Sequence, residues 1–376
     1  MFIFKYVFML SLIYAEKIVL IQYIKIMKAL AFAINIGEPC QKAYLEIDLT
    51  IDYTWVTNFC YNPKNSDSVI MNSDYSIKGT ECKLIRDKIV FGGENDKNYQ
   101  IDDFAVVNIP FDALRESEAI GLGFKGDNNI GSNIVYAMYN NGLIERKNFA
   151  FVPYTLHHGD LYFGDIPQSV IEKNKLKYKV ITKVNEEFDT WNVNISHIVF
   201  TNGTNVMSVY ENEYYSYFIT KKKEIYAPIK FMMFVKDNVM KEFYEKGICL
   251  GYALDSSNRD FICNNEIVKM FPNISFVIEN KMFMFTAEEM FTREGSYSYL
   301  NIMTNNDNVN QFIIGSDFMM KFVTQFDYDQ KSIAFYSDTE FNTFRMINTK
   351  GIKIIYTIVI IMLIITILFN ILINKN

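Results

Sequence analysis

Apolar residues between positions 34 and 336 come in short runs, not in long helical stripes. The runs at 44–48, 88–91, 149–153, 160–164, 191–200, 275–279, 282–286 and 332–336 are rich in β-branched and aromatic residues, with Asn, Asp, Gly and Lys clusters between them. Such spacing predicts strands with tight connections. Helical periodicity is confined to short pieces at 133–141 and 229–246. No Pro- or Gly-rich linker separates independent domains, so the body reads as all-β with few short helices.

The two ends differ from the body. Residues 1–15 (MFIFKYVFMLSLIYA) carry an early Lys5, an apolar stretch and a small residue before Glu16, the plan of a secretory signal peptide. An uncleaved anchor or a buried first strand is the alternative. Residues 16–28 read as a remnant prosegment or as the first strand. Residues 354–373 (IIYTIVIIMLIITILFNILI) hold twenty positions without a charge, enough at helical rise to cross a bilayer core of ~30 Å. The chain is therefore expected to be a single-pass type I membrane protein of the secretory pathway or cell surface, with its body lumenal or extracellular. A polar stem at 337–353 and a short tail at 374–376 flank the span.

Composition narrows the classes. The 376 residues are 50% hydrophobic and 21% charged, which excludes a largely disordered chain. With 37 Lys+Arg against 43 Asp+Glu, the net charge of −6 offers no nucleic-acid footprint. Three histidines and no Cys-x-x-Cys leave little from which to build a metal site, and no cofactor is expected. The adjacent His157 and His158 read as a solvated loop. Three sequons, at Asn194, Asn202 and Asn273, fit a secreted body. Five cysteines allow two disulfides. Cys249 with Cys263, fourteen apart, and Cys40 with Cys60, flanking Asp48, are the expected pairs, which leaves Cys82 free.

A set of motifs then resembles the pepsin-like aspartic proteases. Ile34-Asn-Ile-Gly-Glu-Pro-Cys-Gln41, Tyr44-Leu-Glu-Ile-Asp48 and Tyr53-Thr-Trp-Val56 are similar to that family's opening, with Gly37 to Asp48 and Asp48 to Trp55 at the family's spacing. Glu118-Ala-Ile-Gly-Leu-Gly123, Gly142-Leu-Ile, Gly159-Asp-Leu-Tyr-Phe-Gly-Asp165, Phe271-Pro-Asn-Ile-Ser-Phe276 and Phe312-Ile-Ile-Gly-Ser-Asp-Phe-Met319 resemble later family segments in order. The resemblance implies two β-rich lobes, at 16–179 and 180–336, with a peptide-sized cleft between them. Its chemistry needs two carboxylates that share one proton around a water, each on a loop where a Gly two positions on permits close approach.

The sequence departs from that pattern at both loops. Asp48-Leu49-Thr50 keeps the Asp but not the Gly. The second loop is best matched by Ile219-Thr-Lys-Lys-Lys-Glu-Ile-Tyr-Ala-Pro228, which places Ile219 where the second Asp belongs and Lys221 where the Gly belongs. Asp255, only sixty residues before Gly315, is a poor substitute. The Lys221–Lys223 run reads as a solvated loop face or as an anion-binding patch at the degenerate cleft. Tyr75, twelve residues before Asp87, fits the family's flap tyrosine, though the glycines that usually follow are absent. A core or surface tyrosine is the other reading.

Three functions stay open. The first is a membrane-anchored, catalytically inactive relative that binds peptide or protein segments in the interlobe cleft. The second is an active aspartic endopeptidase whose second Asp lies elsewhere, and the third a structural surface glycoprotein.

Overall fold

The computed structural model describes residues 17–24, 29–77, 80–92, 98–110, 118–126, 131–155, 158–211, 215–252, 261–305 and 310–344. The expected signal peptide, membrane span and tail, together with Asp255 and His157, lie outside these residues. Among the described residues no helix is long and apolar enough to cross a membrane. Residues 1–342 and 343–376 are separate compact units, and of the second only Thr343 and Phe344 are described.

The short apolar runs are strands: Gln41–Asp48, Thr80–Gly92, Asn148–Thr155, His158–Phe163, Asn192–Asn202, Asn273–Ile278, Lys281–Phe285 and Ser332–Ser337. Alternation of side chains along Thr80–Gly92 turns Ile85, Asp87, Ile89 and Phe91 inward. His158 opens a strand and is not in a loop, a correction that follows from its pairing with Thr155. Of the two readings of 16–28, the strand is observed: Lys17–Ile24 pairs with His158–Phe163 and with Ala29–Ile36.

Among the described residues the helices are short. Ile134–Asn140 starts at Asn133, whose side-chain oxygen accepts the Val135 N–H at 2.9 Å. Pro228 precedes Ile229–Val235, which continues through a π-helical turn, Lys236–Met240, into Lys241–Glu245.

Among the described residues one sheet of thirteen strands begins at the hairpin strand Met71–Ile77 and ends at Tyr178–Lys183. Strands of the second half, Val323–Asp327 and Ser332–Ser337, lie next to that far edge, so both halves build this sheet. The expected lobe boundary at 179/180 falls inside Tyr178–Lys183, which pairs with Ser332–Ser337. An eight-stranded and a four-stranded sheet complete the second half. A contiguous apolar core runs from Leu30 to Phe341.

Trp191 ties the halves together. It is fully buried and donates its indole N–H to the Leu122 carbonyl at 2.8 Å. Phe124, Phe149 and Phe326 pack around its ring, with Phe149 stacked on Phe326 at 4.9 Å.

The cysteines divide differently from the expectation. Cys249 and Cys263 form a disulfide between antiparallel strands, closing a loop fourteen residues apart, a closure worth roughly 3 kcal/mol in the chain-entropy account. Cys40 and Cys60 are not paired: both are free, as is Cys82. Cys40 is exposed at the end of the Gly37–Cys40 turn, whereas Cys60 is half-buried. Burial and the Glu118 carboxylate push the Cys60 thiol up to about 12, so little thiolate is available for exchange at neutral pH.

Candidate functional site

The first loop grows out of Gln41–Asp48, which runs parallel to Ala119–Gly121 with Asp48 opposite Gly121. The Leu122 N–H donates to the Asp48 carbonyl at 2.8 Å, and the Gly123 N–H to the Ile51 carbonyl at 2.6 Å. The loop folds back so closely over this strand that a Cβ on residue 121 would stand 2.4 Å from the Tyr53 carbonyl oxygen. Only glycine fits there.

The second loop repeats the plan. Tyr215–Phe218 runs parallel to Ile313–Ile314, with Tyr217 opposite Ile313 and Phe218 opposite Ile314. The Ile219 N–H donates to the Ile314 carbonyl at 3.0 Å. One further step of this register sets Ile219 against Gly315, as Asp48 is set against Gly121. A Cβ at Gly315 would approach the Glu224 carbonyl oxygen to 2.1 Å. The equivalent of Asp48 in the second half is thus an isoleucine, half-buried at its position.

The loops meet across the two halves. The buried Thr220 hydroxyl donates to the Ile47 carbonyl. Leu49, the first-loop residue in the matching position, has no hydroxyl to return that bond and is fully buried in the core. Next in the second loop, Lys221 reaches Asp48: its Nζ lies 2.9 Å from Oδ2, with 27% of the lysine side chain exposed and 1% of the aspartate. The other carboxylate oxygen, Oδ1, accepts the Thr50 N–H at 2.8 Å and the Thr50 hydroxyl at 2.6 Å. The aspartate therefore faces a cation and a local hydroxyl. Lys221 is not part of a solvated face, because the loops approach closely enough for it to bridge. Its neighbours differ: Lys222 lies over the Tyr226 ring at 4.4 Å, and Lys223 faces Asp317.

Tyr75 sits on a hairpin, paired with Cys82 two residues from the end of Met71–Ile77, and is 36% exposed. The base of that hairpin is fixed by Asp87, fully buried on the inward face of its strand. Its Oδ1 accepts the Ser68 hydroxyl at 2.5 Å and the Lys88 N–H at 2.7 Å, and its Oδ2 accepts the Ser66 hydroxyl at 2.7 Å and the Tyr61 hydroxyl. Burial alone would raise this carboxyl, but the hydrogen bonds from Ser68, Tyr61, Ser66 and Lys88 outweigh it and hold it low. In the sequence Asp87 serves only as the landmark from which Tyr75 is counted, although a charged residue at an inward position of an alternating strand is a readable signal.

Of the sequon asparagines, Asn194 and Asn202 are exposed, whereas Asn273 is half-buried beside Met284. Among the described residues no group of three or more His, Cys, Asp or Glu is placed to hold a metal.

Asp317 lies under the second loop, its N–H donating to the Lys223 carbonyl at 3.0 Å. Burial, reinforced by Glu224 and opposed by Lys223, pushes its carboxyl from 3.8 up to about 7. The folded state then binds a proton more tightly than the unfolded chain. The stability this contributes is complete at low pH and is lost as pH rises from about 4 to about 7. Asp52, also raised by burial, adds in the same direction. Thermal unfolding should therefore show a higher midpoint at pH 5 than at pH 7.5, and Asp317→Asn should shrink that difference. An unchanged difference in the variant would remove Asp317 from the account.

The arrangement is a doubled strand-loop-strand device whose two loops meet, with Asp48 in the first, Ile219 at the matching position of the second, and the Lys221 ammonium reaching across to the carboxylate. The sequence model of the eukaryotic aspartyl protease family matches residues 30–337, and the chain belongs to that family. No curated protein matches it. The crystal structure of basic 7S globulin from soybean superposes with a TM-score of 0.66 at 10% identity, covering 86% of this chain and 97% of that one. At that identity the likeness speaks for the fold alone.

Proposed function

We propose that this family member has given up peptide-bond hydrolysis and acts by holding peptide or protein segments in the cleft between its halves. A single observation carries the reading: Lys221, not a second carboxylate, faces Asp48 at 2.9 Å. Hydrolysis by two acids needs one carboxyl to keep a proton while the other takes one from water, and like-charge crowding creates that division. An ammonium beside Asp48 replaces the like-charge crowding that would make one acid of a pair keep its proton, and it supplies no second carboxyl. Ile219, opposite Gly315, supplies none either. The chain keeps a hairpin that carries Tyr75 and the paired loops of the family plan, which supports peptide binding over a purely structural role. The apolar stretch at 354–373 would anchor the body to a membrane of the secretory pathway or cell surface.

The test is proteolysis by the purified full chain. Quenched fluorescent peptides should stay intact between pH 3 and pH 6, and a statine-type inhibitor, which mimics the tetrahedral intermediate, should bind weakly or not at all. Inhibitor-sensitive cleavage that disappears in Asp48→Ala would overturn the proposal and restore the active-protease reading.

A further inference from the structure

A cavity of about 360 Å³ opens beside Tyr215–Phe218, the strand that leads to Ile219. Glu187, Phe188 and Asp189 form one wall, and Tyr215 and Tyr217 the other, with Gln311 at the edge. Tyr215 and Tyr217 are two apart on one strand and so project from the same face. Phe188 and Tyr215 stand 5.7 Å apart with their planes tilted by 44°. The pocket thus combines aromatic faces with two carboxylates, surroundings that attract a cation both by charge and through ring quadrupoles.

Its wall is built in advance. Asn192, fully buried, accepts the Asn185 N–H at 3.0 Å and donates to the carbonyls of Asn185 and Thr190 at 2.9 Å. The Glu187 N–H donates to the Asn185 side chain at 3.0 Å. These bonds hold the 185–190 turn in shape, which reduces the ordering cost of binding. The charge balance leaves the pocket anionic: Lys125 pairs with Asp189 at 2.7 Å and so offsets one of the two carboxylates.

We infer that this pocket receives the cationic side chain, arginine or lysine, of a peptide lying in the cleft. The inference deepens the proposed peptide-binding function and rests on it. An arginine suits the site well, because its planar guanidinium stacks on aromatic rings while its edge bonds to carboxylates.

Two measurements on the full chain separate this inference from the reading beneath it. In the first, saturation-transfer NMR compares Nα-acetyl-arginine amide with its uncharged citrulline analogue. Arginine amide should bind and citrulline should bind about tenfold more weakly. The preference should vanish in E187Q/D189N, whose exposed side chains can be changed without disturbing the core, and both compounds should weaken in Tyr215→Leu. In the second, fluorescent octapeptides carrying one Arg, citrulline or Glu on a common background are titrated. Peptide binding without an Arg preference, or a preference that survives E187Q/D189N, overturns the inference and leaves cleft binding intact. Binding of arginine amide with no binding of any octapeptide overturns the peptide-binding function and, with it, the occupant inferred here. Absence of both overturns both.

Discussion

Replacing Lys221 with Ala should destabilise the folded chain by about 3 kcal/mol, the lower end of the cost of stripping a buried ion of its partner. The lower end applies because Lys221 is itself 27% exposed, so water screens part of the attraction. What remains in the variant is a carboxylate 1% exposed, still bonded to Thr50 but facing no cation. Adding Asp48→Asn to Lys221→Ala should recover a large part of the loss, because the amide needs no counter-charge and keeps an oxygen for the Thr50 bonds. Denaturant unfolding of the two single variants and the double variant gives the coupling directly. A loss below about 0.5 kcal/mol for Lys221→Ala, the level of an ordinary surface pair, would mean that the ammonium does not hold the floor.

The second large effect is a gain of activity. Four substitutions, Leu49→Thr, Thr50→Gly, Ile219→Asp and Lys221→Gly, would place Asp-Thr-Gly in both loops. They restore the second carboxylate, remove the competing ammonium and return a hydroxyl to reciprocate the Thr220 bond to Ile47. Peptide cleavage should then appear at acid pH and fall off toward neutrality, where the shared proton is lost. General acid-base catalysis contributes about 10²–10⁴-fold, so a quenched peptide assay has ample range to detect it. Ile219→Asp alone should remain inactive, because Lys221 would still pair with Asp48 and stand between the two carboxyls that must share a proton. Activity in that single variant would contradict the role assigned to Lys221. No activity in a well-folded quadruple variant would mean that the cleft no longer presents a peptide in reactive register.

Much of this architecture is legible along the chain. The intervals from Gly37 to Asp48 and from Asp48 to Trp55 mark the first loop, and Ile313-Ile-Gly315 marks the strand that must lie beside the second. These are local patterns, and strand geometry converts them into positions. The destination of Lys221 is not local. Asp48 and Lys221 are 173 positions apart, and a triple-lysine run has the look of a solvated turn until its loop is seen pressed against Asp48 from the other half. The Cys249–Cys263 disulfide is legible in its short interval and forms, whereas the expected Cys40–Cys60 pair does not. Cys40 and Cys60 are close in sequence, but the turns that carry them leave one exposed and hold the other half-buried near Glu118. Asp87 lies within an alternating pattern, and its burial follows from the parity of its strand. The ends of the chain are legible as composition alone.

The ion pair at the floor also changes the electric field that a ligand meets on approach. An acid dyad sharing one proton carries one net negative charge, whereas Asp48 with Lys221 carries none. Long-range attraction of cationic segments must then come from the pocket wall, where Glu187 is left uncompensated once Lys125 pairs with Asp189, and not from the centre. Raising the ionic strength should accordingly slow association of basic peptides through that wall, while neutral peptides arrive at rates nearly indifferent to salt.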